Sequence, residues 1–98
     1  LPGGSAYSAT KGAIDALTIA LAKEVGSQGV RVNALRPGVI DTDIHEVNGG
    51  RDAVRQMGAT VPLGRAGTPA EVADAVMWLA SDASSYVHGA VIDVSGGR

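Results

Sequence analysis

Two short apolar segments separated by a capped helix constrain the fold of this chain more than any other feature. Val30–Leu35 (VRVNAL) has the β-branched and aliphatic character of a strand, and Arg36-Pro37-Gly38 stops it. Ala90–Val94 (AVIDV) repeats that character and ends at Gly96 and Gly97. Between them, Thr68 is expected as an N-cap, Pro69 as the first helical residue and Glu71 as the closing member of a capping box. Val72, Val76, Leu79 and Ala80 are the expected buried face of that helix. Two strands joined through a helix lie parallel, with a right-handed crossover. A parallel sheet takes helices on both faces and more than two strands. The expected class is therefore α/β, with a visibly incomplete sheet.

A longer helix is expected earlier in the chain, from about Tyr7 to Val25, after a Gly3-Gly4-Ser5 loop. Ile14, Leu17, Leu21 and Val25 form one stripe at helical spacing, and Ala9, Ala13, Ala16 and Ala20 a second. Apolar residues on two sides predict a helix buried within a larger assembly, with the small residues admitting a close neighbour. Gly26 and Gly29 bracket its end, where a left-handed residue is easily accommodated. Residues 41–60 are polar and broken by glycine, with weak helical character over Asp52–Met57. They read as a mobile excursion in which Gly49 and Gly50 are candidate hinges.

Composition removes several function classes. The chain has 98 residues, at most one domain. Hydrophobic residues make up 45% of it, but aromatic residues only 3%, with no Phe, so a core must be built from Ala, Val, Leu and Ile. A net charge of −2 and few stacking rings argue against a nucleic-acid or anionic-membrane partner. With no cysteine, disulfides, zinc–thiolate sites and a catalytic thiol are excluded, and a cytoplasmic setting is compatible. No apolar run is long enough to span a bilayer, and the first residues lack the pattern of a signal peptide. A start without Met hints that an upstream portion has been removed.

Tyr7 and Lys11 stand four apart on the first helix and share a face. A free tyrosine, with a pKa near ~10, is a poor acid–base catalyst at neutral pH. A neighbouring ammonium favours the phenolate and brings tyrosine into a useful range. The spacing alone is weak support. Most such pairs are helix-surface neighbours, and Asp15 is an equally placed partner for Lys11 in an ordinary ion pair.

The surrounding residues carry more. Tyr7-Ser-Ala-Thr-Lys11-Gly-Ala-Ile, Val30-Arg-Val-Asn33-Ala-Leu-Arg-Pro37-Gly38-Val-Ile40-Asp-Thr42, Gly64-Arg65-Ala-Gly67-Thr-Pro69-Ala-Glu71-Val-Ala and Tyr86-Val-His-Gly89-Ala-Val-Ile-Asp-Val-Ser-Gly96-Gly97 together resemble the short-chain dehydrogenase/reductase family. Four blocks in the family's order and spacing cover essentially the whole chain. The resemblance implies that residues 1–98 are the C-terminal part of a Rossmann-type doubly wound parallel sheet within one domain. It implies an oxidoreductase using NAD or NADP to interconvert a small-molecule carbonyl and alcohol by hydride transfer, working as a homo-oligomer, dimer or tetramer.

The same resemblance assigns roles. Tyr7 would be the general acid in reduction and the general base in oxidation. Lys11 would favour the phenolate and hydrogen-bond the nicotinamide ribose hydroxyls. Pro37 and Gly38 would turn the chain beneath the nicotinamide, the Ile40 backbone would hold its carboxamide, and the Thr42 hydroxyl would lie near the carboxamide and phosphates. The family's catalytic serine and Gly-rich phosphate loop are expected upstream of this chain, since Ser5 and Ser8 are too near Tyr7 to serve. Ser95 stands where the family commonly has an acidic residue, and His88, read as a loop residue, where it often has Thr.

Other readings are weaker. Asp41-Thr42-Asp43-Ile44-His45-Glu46 has metal-ligand types, but they diverge on a helix or a strand, and no metal is expected. Met77 and Trp78 are read as core or subunit contact. The 98 residues alone are expected to be inactive, a catalytically silent module that self-associates or needs its missing portion; a non-enzymatic family member is disfavoured by the presence of both Tyr7 and Lys11.

Overall fold

The computed structural model describes residues 4–42 and 50–97. Helix α1 runs Gly4–Val25, strand β1 Ala34–Pro37, α2 Gly50–Ala59, α3 Pro69–Ala80 and β2 Val91–Val94. The chain falls into two compact units: one takes in the residues up to Ala34 together with Ser85–Ile92, the other Leu35–Ser84 with the residues from Asp93.

The strands pair in the order β1-β2. Ala34 N–H donates to the Ala90 carbonyl (2.9 Å) and Gly38 N–H to the Val94 carbonyl (3.0 Å), the same step on each strand, so the pairing is parallel as the helix between them requires. In this register alternate residues donate to β2, and the N–H that Pro37 lacks would face the other way. Proline is therefore tolerated at the end of β1. On the neighbouring strands, Arg36 Nε lies 3.5 Å from the Asp93 carboxylate.

In the first unit, α1 ends in a 3-10 turn, Gly26–Gln28, and Gly29 takes the left-handed conformation (φ 76°) expected of it. Thr10 and Thr18 donate their hydroxyls to the carbonyls of Ala6 (2.9 Å) and Ile14 (2.8 Å), one turn back. Thr18 is thus satisfied although it is buried, beside Ala22, in the helix. The face packed within this unit is, apart from Val25, neither of the two stripes expected to be buried in a larger assembly. Lys11, Asp15 and Val25 are half-buried in line with Thr18 and Ala22, while Ile14 and Leu17 are more than half exposed (52% and 62%) and the alanine stripe is exposed. Ala22 packs under Gly89, whose added Cβ would meet the Ala22 Cβ at 3.4 Å. Among the described residues of this unit the larger stripes find no partner.

The expected strand Val30–Leu35 begins later, at Ala34. Residues 30–33 are instead held by loop and side-chain groups. Arg31 Nη1 (3.1 Å) and Asn33 Nδ2 (3.0 Å) donate to the Val87 carbonyl, and Ala90 N–H donates to Asn33 Oδ1 (3.0 Å). Val32 N–H donates to His88 Nδ1 (3.2 Å), and Gly89 N–H to the Val32 carbonyl (2.8 Å). His88 is therefore more than a loop residue. Its Nδ1 accepts, so the Nε2 facing the Ala22 carbonyl at 2.6 Å is the one that donates. That is the neutral ring, tying α1 to the segment before β1.

In the second unit, α2 extends beyond the expected Asp52–Met57 and buries Val54 and Gly58. A Cβ on Gly58 would lie 2.5 Å from the Ala66 backbone nitrogen, so only glycine fits there. Val61 is buried in the turn that follows, and Leu63 N–H reaches the Gly96 carbonyl (3.0 Å). Helix α3 has the expected cap: Thr68 Oγ1 accepts from Glu71 N–H (3.1 Å), and Glu71 Oε1 accepts from Thr68 N–H (3.0 Å). Its buried face is not as expected. Val72 and Leu79 are half-buried, but Val76 and Ala80 are exposed, as are Met77 (68%) and Trp78 (44%), so neither belongs to a core within this unit. The expected excursion and its Gly49 hinge fall partly on residues 43–49, outside the described residues; Gly50 opens α2.

Candidate active site

Tyr7 and Lys11 lie on α1 one turn apart, and the structure brings them together as the spacing requires. The Lys11 ammonium stands over the Tyr7 ring, 5.1 Å from its centroid, within cation–π range. Tyr7 is 63% exposed, whereas Lys11 is half-buried. The phenol thus projects from the helix while its cation sits closer to the packed face.

The remaining expected site residues, Pro37, Gly38, Ile40 and Thr42, follow one another through the second unit. Pro37 and Gly38 are exposed, and Ile40 and Thr42 half-buried. At Gly38 the structure supplies a packing reason for glycine: an added Cβ would lie 2.8 Å from Ser95 Cβ and 2.9 Å from Ser95 Cα. Ile40 forms an isolated parallel bridge with Gly67. Gly67 N–H donates to the Val39 carbonyl (2.8 Å) and Asp41 N–H to the Gly67 carbonyl (2.9 Å). A parallel bridge of this kind uses the groups on either side of Ile40 and turns its own N–H and C=O to the opposite side. Among the described residues that leaves one donor and one acceptor, side by side, able to meet an amide-bearing ligand.

The partner of this bridge is itself anchored. Arg65 Nη1 and Nη2 donate to Glu71 Oε1 and Oε2 at 2.7 and 2.8 Å, a bidentate pair, and Nη1 also reaches the Ala66 carbonyl at 3.1 Å. The Arg65 hydrogen bonds hold the Glu71 carboxyl down at about 2, with the Thr68 amide adding to the effect. The Glu71 carboxylate in turn raises Arg65 above its ordinary value. Val39, Ile40, Arg65 and Glu71 line a cleft of about 240 Å³. Sequence reasoning had placed Glu71 only as a cap and had given Arg65 and Gly67 no role. Their link to Ile40 crosses some 25 positions (65 − 40) and follows no helical or strand period.

Among the described residues no group of three or more His, Cys, Asp or Glu side chains is placed to hold a metal, and no helix is long and apolar enough to cross a membrane. Asp43–Glu46 of the metal-ligand segment lie outside the described residues.

Residues 1–98 match throughout the family described as enoyl-(acyl carrier protein) reductase, and the chain belongs to the short-chain dehydrogenase/reductase family of oxidoreductases. It is 48% identical over 92 residues to the uncharacterized oxidoreductase YgfF of Escherichia coli (strain K12), covering 94% of this chain and 37% of that protein. Its fold matches a 3-oxoacyl-[acyl-carrier protein] reductase of Brucella melitensis ATCC 23457 with a TM-score of 0.82 at 46% identity, over 93% of this chain and 34% of that one. A 3-oxoacyl-[acyl-carrier protein] reductase of Brucella melitensis with bound NAD matches with a TM-score of 0.73 at 46% identity, over 93% and 32%. The chain therefore spans about a third of the length of these relatives.

Proposed function

We propose that the intact protein containing these residues is an NAD(P)-dependent oxidoreductase that interconverts a carbonyl and an alcohol, with Tyr7 as the general acid of reduction and the general base of oxidation. The observation that carries this reading is the Lys11 ammonium over the Tyr7 ring, at 5.1 Å, in a chain of this family. Its three N–H donors suit ribose hydroxyls. The nicotinamide supplies the hydride. A carboxamide needs one donor for its oxygen and one acceptor for its N–H, and Ile40 has both turned away from Gly67. Pro37 and Gly38 turn the chain beneath the ring, and Thr42 adds a hydroxyl near the carboxamide and phosphates. Positioning of this kind is what hydride transfer demands of a protein.

The cofactor is NAD or NADP, the substrate a small carbonyl or alcohol, and the setting cytoplasmic. The intact protein is a homo-oligomer, a reading supported by the apolar surface that α1 leaves uncovered. Fluorescence titration of NADH and NADPH tests the assignment: saturable binding of one of them to the intact protein is expected, and binding of neither would remove it.

A second reading concerns the 98 residues alone, as an assembly module without activity. Among the described residues the buried hydrophobic side chains are Ala22, Val54 and Val61, while Ile14, Leu17, Leu63 and Met77 are each more than half exposed. So much uncovered apolar surface favours self-association. Sedimentation of the isolated chain should show oligomers; a monodisperse, cooperatively unfolding monomer contradicts this.

A further inference from the structure

Among the described residues the Ile40 bridge is held from one side only, and what holds it is a small hydrogen-bonded assembly. Gly67 supplies both hydrogen bonds of the bridge, at 2.8 and 2.9 Å. It also lies close under the side chain it faces, since a Cβ on Gly67 would meet Ile40 Cδ1 at 3.0 Å. The residues flanking Gly67 are both tied to Glu71: Thr68 through its amide at 3.0 Å, and Ala66 through Arg65, which bonds the Ala66 carbonyl and both Glu71 oxygens. Glu71 is itself fixed in the first turn of α3 by the reciprocal bond to Thr68 Oγ1. A planar guanidinium and a carboxylate meeting by two parallel bonds have one geometry, which a single flexible ion pair lacks.

We propose that the Arg65–Glu71 pair is a positioning clamp for the cofactor-facing backbone: it fixes Gly67, and through Gly67 it sets the direction of the Ile40 N–H and C=O. Neither side chain touches the cofactor. The clamp rests on the reading that Ile40 holds the nicotinamide carboxamide. With the pair intact, Ile40 presents its donor and acceptor without a search through backbone conformations at the moment of binding. Without it, Arg65 and Ala66 lose their side-chain tie to α3, and the ordering of Ile40 on binding lowers cofactor affinity.

The test uses the intact protein and the acetylpyridine analogue of the reduced cofactor, whose acetyl group cannot donate to the Ile40 carbonyl. Dissociation constants for NADH or NADPH and for the matching analogue are measured by fluorescence, alongside amide hydrogen exchange. Wild type should prefer the natural cofactor by about tenfold, the effect of a hydrogen-bonded amide against an unpaired carbonyl. In Arg65→Met, which keeps the alkyl stem and leaves Glu71 to cap α3, natural-cofactor affinity should fall until that preference nears one. Analogue affinity, which rests on the Ile40 N–H alone, should fall by less than natural-cofactor affinity, and the Gly67 and Asp41 amides should exchange faster. A preference retained in the variant overturns the clamp, as does an equal loss for both ligands, which marks a general structural effect. Equal affinities in wild type instead remove the Ile40 reading, and the clamp with it. Should Arg65→Met fail to fold, Glu71→Gln, which keeps an acceptor for Thr68 N–H, must show the same loss of preference.

Discussion

Gly38→Ala separates packing from cofactor contact as the reason for glycine at the end of β1. The new Cβ would stand 2.8 Å from Ser95 Cβ and 2.9 Å from Ser95 Cα. Carbon–carbon contacts settle no closer than about 3.5 Å, so the strands must part by roughly 0.7 Å. Neither obstacle is the free end of a side chain; both move only with the backbone after β2. The same displacement stretches the bond from Gly38 N–H to the Val94 carbonyl, now 3.0 Å. Overpacking costs about 1–3 kcal/mol and a weakened hydrogen bond about 0.5–1.5, giving a loss of about 1.5–4.5 kcal/mol. The assay is urea unfolding of the intact protein by circular dichroism at fixed concentration. The midpoint should fall with little change in slope. Gly12→Ala is the reference, because a Cβ there meets nothing within 4 Å in this chain; it should shift stability by no more than about 1 kcal/mol. A Gly38→Ala protein that keeps wild-type stability but loses cofactor binding would refute the packing argument.

Three further perturbations follow from the geometry. His88→Ala strands the Val32 N–H and the Ala22 carbonyl, and should cost about 1–3 kcal/mol, with faster exchange of the Val32 amide. Thr68→Ala removes the side-chain half of the α3 capping box and should cost about 1 kcal/mol in the same unfolding assay. Glu71, held down at about 2 from an ordinary 4.5, contributes stability that is fully present above about pH 4.5 and is lost as pH falls through 2. The stability difference between wild type and Glu71→Gln should therefore be constant above that range and shrink on acidification below it; a difference that grows instead contradicts the pairing.

Local rules carried part of the structure. Thr68, Pro69 and Glu71 form the expected cap because every partner lies within one turn, and Gly29 takes the left-handed end of α1 for an equally local reason. The class, α/β with parallel strands, followed from element order. Strand onset did not: Val30–Asn33 look like strand, but their partners are Val87, His88 and Ala90, more than fifty residues on. The stripes on α1 and α3 were visible as apolar periodicity, yet a pattern says only that a face can be covered. Here Lys11, Asp15, Thr18 and Ala22 form the packed face of α1, with Ala22 beneath Gly89, where a leucine would not fit. At the site, the Tyr7–Lys11 pairing was legible from spacing alone. The direction of the Ile40 backbone was not, since it depends on a bridge to Gly67 that no periodicity announces.

The central claim is that Tyr7 moves the proton while the rest of the site holds the cofactor. The most direct measurement is turnover of the intact Tyr7→Phe protein with its best carbonyl acceptor, alongside its dissociation constant for the reduced cofactor. Turnover should be lower by at least about a hundredfold, the scale of general acid catalysis, with cofactor affinity within about twofold of wild type. Wild-type-like turnover in that variant would contradict it.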